Sequence, residues 1–495
     1  MGSYLFGDAV QPTFRGNYAT DFSNLNKGCE FPDNETKARN IRYRHNKRLF
    51  TGEYAENKKL VALVNDEYTE INYKCLPLNY FKLIVNKLDS LFFGNEITIN
   101  TGDVERDKLV NRLVERTHWT QSIRQAVKLC EIYGDACLKT GRYGASAFSP
   151  LFAYKVVDKS DKKNTIGYVL HELLYEKSTN AYNYQDYTPK YIRILISCKG
   201  FDYERVYEYT GTNVSGTLGR PVRYKYKDRW IPRKGRYYWT GINDCETVQW
   251  LSVNTEDDGV YGTSSFSQVK DLIFAIENRL STENWVIDAH GKPLLIAGMS
   301  AFKTDEMTGE YYLSVVNGKY LVDKGGTENK PQYLTWDGKL EASKQVRDDL
   351  MSTFYELSEM GKTFLSGEYT GNVSEESLNN IIKSAIDRGN REVNDFWYDI
   401  RKSLYVLCRL NDIDIALEDI NVNFNVGRVD DTKIIAEICD MLVSMGLFSK
   451  QTLLNKFWGY TEEDAKAEFE RIRAENKGGI GDNDNSGSSE TVIRV

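Results

Sequence analysis

Residues 264–410 constrain the fold more than any other stretch. Ser264 or Ser265 reads as the cap of a helix running to about Ala289, with Val269, Leu272, Ile273, Ile276, Leu280 and Ile287 on one stripe. At about 1.5 Å per residue this leg is roughly 39 Å long. Gly291 and Pro293 stop it. A β-rich insert follows to Leu340, with strands expected at Leu294–Ala297, Tyr311–Val316, Tyr320–Val322 and Tyr333–Trp336. About fifty residues is too few for an independent core. Glu341–Met360 is a second leg with Val346, Leu350, Phe354 and Leu357 inward. Gly367 and Gly371 punctuate a break. Ser374 then caps a helix whose first turn holds Glu375 and Glu376, where the dipole favours acids. Its stripe (Leu378, Ile382, Ala385, Ile386, Gly389, Val393, Phe396, Ile400, Leu404, Leu407) continues to Leu410, roughly 55 Å of helix. Gly389 is a candidate bend.

The remaining sequence is an α+β frame around this device. Met1–Pro32 is polar and reads as a poorly ordered arm. Residues 34–50 carry Lys37, Arg39, Arg42, Arg44, Lys47 and Arg48, which read as a solvated helix face rather than an anion patch. Helices are expected at Pro77–Phe93, capped by Asn79 and ended by Gly94, at Asp103–Arg116 and at Thr120–Tyr133. Strands follow at Ala136–Thr140, Ala153–Val157, Gly167–Leu174, Tyr191–Cys198, Phe201–Tyr209 and Gln249–Val253. Gly211–Arg236 is basic and irregular. After residue 410, alternation at Ile413, Ile415 and Leu417 and then at Ile420, Val422, Phe424 and Val426 predicts a strand or two, and short helices fill 432–476. The Gly, Asn, Asp and Ser tail from 478 reads as disordered.

Several function classes are excluded. With 495 residues and a net charge of −7, the chain is multi-part and poorly suited to wrapping nucleic acid tightly. The 33 tyrosines suit half-exposed strands or partner surfaces equally well. The eight cysteines form no C-x-x-C pair, and the four histidines are scattered, so no metal site is expected. There is no phosphate loop, nucleophile elbow or zincin motif, hence no catalytic residue and no cofactor. Asp257-Asp258 reads as a turn rather than a ligand pair. No apolar run is long enough for a signal peptide or membrane span.

The order of elements resembles the portal proteins of tailed double-stranded DNA bacteriophages, of the long-tailed-phage, terminase-packaged type. Three local matches support the resemblance: Asn79–Ile99 with Leu91-Phe-Phe-Gly94, Ala126–Lys139 with Tyr133-Gly-Asp135, and Gly262-Thr-Ser-Ser-Phe266 with the leg that ends at Pro293-Leu-Leu-Ile296. It implies an elongated α+β subunit assembled as a ring, likened to a dodecamer. Its parts would be a flexible arm (1–33), a wing (34–256 and 413–429), a stem (257–290 and 341–360) and a clip (291–340). A tunnel loop (361–373), a long kinked helix (374–412), a helical crown (430–477) and the tail (478–495) complete it. Ser366, Gly367, Glu368, Tyr369, Thr370, Gly371 and Asn372 would line the channel, with Lys362, Lys383 and Arg388 facing DNA. Lys303, Tyr311, Lys319, Lys324 and Trp336 would meet partners at the clip. The resemblance implies a non-enzymatic virion component at a capsid vertex, assembled in the host cytoplasm. Double-stranded DNA would pass through it during packaging and ejection. Its partners would be terminase, head-tail adaptors, and major capsid and scaffolding proteins, with no membrane. The rival readings are a head-tail adaptor or baseplate protein, and a nucleic-acid-processing enzyme.

Overall fold

The computed structural model describes residues 19–54, 58–64, 67–73, 76–175, 189–212, 214–255, 260–290, 294–296, 302–304, 311–313, 332–334, 340–367, 375–426, 466 and 468–471. The chain divides into two units, 1–373 with 380–427 and 374–379 with 428–495. In the second unit the described residues are helical, and Arg471 pairs with Glu468 at 3.1 Å. The 478–495 tail and nearly all of the cluster expected at 430–477 lie outside the described residues.

The larger unit is α+β, as its sequence pattern predicts. Strand β1 (Glu30–Phe31) precedes helix α1 (Asn34–Thr51), which Asp33 caps by accepting from the Thr36 amide at 2.8 Å. Strands β2 (Lys58–Val64) and β3 (Glu67–Tyr73) form a hairpin. Helix α2 (Tyr80–Phe93) starts on Asn79, whose side chain accepts from Lys82, as expected. Strand β4 (Thr98–Asn100), α3 (Val104–Thr117) and α4 (Trp119–Tyr133) follow. Ile123, Val127, Cys130 and Tyr133 of α4 are buried, so the helical period located that core face.

The β layers come next: β5 (Asp135–Gly141), β6 (Gly144–Phe148), β7 (Ala153–Val157), β8 (Thr165–Tyr175), β9 (Pro189–Cys198) and β10 (Phe201–Gly211). Then follow β11 (Gly216–Val222), β12 (Tyr224–Tyr226), β13 (Arg229–Ile231), β14 (Arg236–Trp239) and β15 (Val248–Ser252). One sheet has the order β1-β11-β10-β9-β8-β7, with β14 also paired to β10; a second has the order β15-β5-β6. The irregular stretch expected at 211–236 is therefore replaced by regular strands. The arm expected at 1–33 is likewise corrected from residue 19 onward: β1 pairs with β11, and Leu25 and Phe31 are buried beside Tyr154. Helix α1 is embedded along one side, with Lys47 and Arg48 exposed and Arg39 buried. Arg39 is 3% exposed, bonds Glu35 and Thr36, and stacks 3.9 Å over Tyr261.

Helix α5 (Lys270–His290) has 21 residues, shorter than the expected leg. Short strands β16 (Leu294–Ile296), β17 (Phe302–Thr304), β18 (Tyr311–Leu313) and β19 (Gln332–Leu334) form two antiparallel pairs, β16–β19 and β17–β18. Helix α6 (Leu340–Leu357) packs on α5, and Glu283 accepts from Arg347 at 2.6 Å and from Ser343 at 2.8 Å. A short helix absent from the sequence expectation, α7 (Lys362–Ser366), ends at Gly367. Helix α8 (Glu375–Leu410) runs 36 residues, and strand β20 (Asn421–Asn423) pairs with β4. The α8 stripe is confirmed from Ile382 to Leu407. Gly389 lies inside the continuous α8 and is closely packed: a Cβ there would lie 2.6 Å from Leu91 Cδ2 and 2.8 Å from Val426 Cγ1.

Gly134 ends α4 with φ +95°, and a Cβ there would lie 2.6 Å from backbone atoms of Gly262. Neither a left-handed turn nor that backbone contact tolerates a side chain. Gly134→Ala should therefore lower stability by about 2 to 4 kcal/mol, read as a reduced urea midpoint. An unchanged midpoint would show that the contact can relax.

Candidate functional site at a helix junction

Two sequence matches that are far apart in the chain, Tyr133-Gly-Asp135 and Gly262–Phe266, are two sides of one contact. The Asp135 carboxylate is fully buried. It accepts from Tyr43 Oη at 2.7 Å, Trp250 Nε1 at 2.9 Å, Ser252 Oγ at 2.7 Å and the Gly262 amide at 3.0 Å. Four donors around one carboxylate replace the water it loses on burial. The Val253 amide donates to Gly134 O at 3.0 Å, closing the same seam.

Ser264 and Ser265 do not cap α5; this corrects the sequence expectation. The Ser265 amide and hydroxyl both donate to Glu131 O, at 3.1 and 3.0 Å, which fastens this segment to α4. Residues 265–269 are turns, and α5 begins at Lys270. Serine competes for backbone groups in just this way, and here the tertiary partner wins.

Arg388 lies at the centre of the junction. It was expected to face DNA; the structure instead buries it, at 6% exposure. Its guanidinium donates to Ser358 O beyond α6 at 2.6 Å, to Ser265 O before α5 at 2.7 Å and to Glu392 one turn along α8 at 2.9 Å. One cation thus joins both legs to the long helix. The rigid fork of arginine suits three separate acceptors, whereas a lysine point charge does not. Burial pushes the Glu131 carboxyl well above its ordinary value; the nearby Glu392 adds to this and Arg388 opposes it. Burial also raises Glu392, again against Arg388.

Further along, α8 is anchored in the β frame. Trp119 Nε1 donates to Ser403 Oγ at 3.1 Å, and Ser403 lies 2.9 Å from Thr140 Oγ1. Trp397 Nε1 donates to Val422 O at 2.7 Å, and Tyr405 Oη to Asp244 at 2.6 Å.

The other expected site residues do not converge on this junction. Lys362 and Lys383 are exposed, and Lys362 lies in a groove with Asp348, Glu356 and Glu359. Ser366 and Gly367 close α7. Glu368, Tyr369, Thr370, Gly371 and Asn372 lie outside the described residues, as do Lys319, Lys324, Trp336 and the Asp257-Asp258 pair. Lys303 and Tyr311 are in β17 and β18. Two expected inward residues of α6, Val346 and Leu357, are 41% and 51% exposed, and Ile287 of α5 is 54% exposed. Among the described residues, no cluster of His, Cys, Asp and Glu could hold a metal ion, and no helix is long and apolar enough to cross a membrane.

A family profile described as "Phage portal protein, SPP1 Gp6-like" matches residues 30–482. The chain belongs to this family, and its role is that of a phage portal or connector component of the virion. No curated protein sequence matches it. A solved structure described as "Neck of empty GTA particle computed with C6 symmetry" contains a similar chain, at TM-score 0.39 and 10% identity, covering 77% of this chain and 90% of that one.

Arg388→Ala should cost about 3 to 5 kcal/mol by leaving Glu392 unpaired in the interior, whereas Lys383→Ala should change stability by less than about 0.5 kcal/mol. Urea unfolding of both variants decides this. The raised Glu131 carboxyl keeps its proton in the folded chain at pH values where the unfolded chain has lost it. Its contribution is full below about pH 4.5 and falls as pH rises toward the folded value. Glu131→Gln removes this loss. Its stability should gain on the parent as pH rises above about 5, by up to about 1.4 kcal/mol per pH unit; a gain independent of pH would contradict the assignment.

Proposed function

We propose that the protein closes as a ring around a channel at one capsid vertex, through which double-stranded DNA is packaged and later ejected. The family match across residues 30–482 carries this reading. The legs support it physically. Helices α5 and α6 bury only part of their apolar residues against each other, leaving Ile287, Val346 and Leu357 for a neighbouring copy.

In this reading residues up to 256, with 413–429, are the wing, and α5 and α6 are the stem. Residues 291–340 form the clip, which docks terminase and then head-tail connectors. Residues 430–477 form the crown. The tunnel loop occupies 361–373, with α7 as its first part. Helix α8 sets the loop's depth in the channel, and the Arg388 junction transmits stem movement to it. The subunit's net charge of −7 repels phosphate, so DNA passes without tight capture. The protein acts as a conduit, and ATP hydrolysis belongs to the terminase.

Deleting Glu368–Asn372 should leave the assembly intact but reduce packaged or retained DNA, scored by nuclease-protected DNA per particle. Loss of assembly with the same deletion would show that these residues build the ring rather than line its channel.

A further inference from the structure

The acidic average of the chain hides one strongly basic surface. Residues 220–236 hold eight basic side chains and one acid, Asp228. All eight basic residues are exposed. Arg229 pairs with the buried Glu204 at 3.2 Å. Among the described residues the other seven make no ion pair with a carboxylate. Such a density of unneutralised like charge is unfavourable until a polyanion covers it.

The β12–β13 ribbon sorts these charges by face. Tyr224 pairs with Ile231, Lys225 with Trp230 and Tyr226 with Arg229. The inner face, Tyr224, Tyr226 and Ile231, packs on Leu174 and Val206. Alternation places Arg223, Lys225 and Lys227 outward, with Trp230 among them. The Arg223 guanidinium lies 4.5 Å over the Trp230 ring, which stiffens it and occupies that ring face. Lys227, at φ +51°, forms the tip. Arg233, Lys234 and Arg236 extend the surface along the adjoining strand edge.

We infer that this ribbon and edge bind the phosphate backbone of duplex DNA without reading its sequence. A two-stranded ribbon is narrow enough to lie in or across a duplex groove. Its outer face offers cations spaced along one strand, with the exposed Asp228 at the tip as the one acid of the stretch. Arg223 occupies one face of the Trp230 ring, while Tyr237 and Trp239 are exposed on the adjoining strand, so duplex and single strand are compared directly in the test. The exposed large apolar side chains between residues 216 and 239 are all aromatic, without the aliphatic knobs of a protein-docking groove. The inference is independent of the channel reading, because a wing surface can hold DNA whether or not DNA passes through the ring.

The test uses the full chain and a fluorescent 30-base-pair duplex of arbitrary sequence, titrated by anisotropy at several salt concentrations. Arg223→Gln, Lys225→Gln and Lys227→Gln together should weaken binding about tenfold or more near 0.1 M salt. They should also flatten the slope of log K against log salt by about 2 to 3, since each lost phosphate contact contributes roughly 0.9. Lys225→Gln alone should give about one third of that change in slope. The control Lys159→Gln with Lys163→Gln should change neither. Parent-like duplex binding by the triple variant would overturn the inference. So would tighter binding to a single strand of equal length, or binding to poly-glutamate but not to duplex.

Discussion

One buried guanidinium holds the working parts together. Arg388 donates to the Ser265 carbonyl, in the turn before one leg, and to the Ser358 carbonyl that follows the other, while its own helix supplies Glu392. Removing a charge of this kind leaves its partners unsatisfied in a medium that stabilises them poorly. Helices α5, α6 and α8 therefore cannot shift independently at this point. The seam below it, Asp135 with Gly134 against Gly262, fixes the same segment to the β frame. A force applied to the legs reaches α8 through these bonds.

Much of this was legible in the sequence because burial imposes periodicity. The α8 stripe, the α4 core face and the central strands followed from spacings of 3.6 and 2. The junction was not legible from Arg388 itself. A lone arginine on a helix looks like a solvent residue until tertiary structure supplies three acceptors. Ser264 and Ser265 misled in the same way: their composition suggests a cap, while Ser265 instead bonds Glu131, 134 residues away. The strands between residues 211 and 239 were hidden because cations alternate there with tyrosines that are only half-buried. Residues 58–73 gave no strong signal of the hairpin they form. Of the expected channel residues, five fall in 368–372, outside the described positions.

Charge is distributed unevenly along the chain. In this chain the acids dominate overall and around Lys362, whereas the cations concentrate on one ribbon of the sheet edge. The exposed apolar residues of the legs are a separate feature and favour contact between copies.

We propose that the legs and long helix do their work only in a closed ring. Electron microscopy of the purified full chain over a range of concentrations tests this. Rings whose central hole is wide enough for duplex DNA are expected. A compact monomer at every concentration would contradict it.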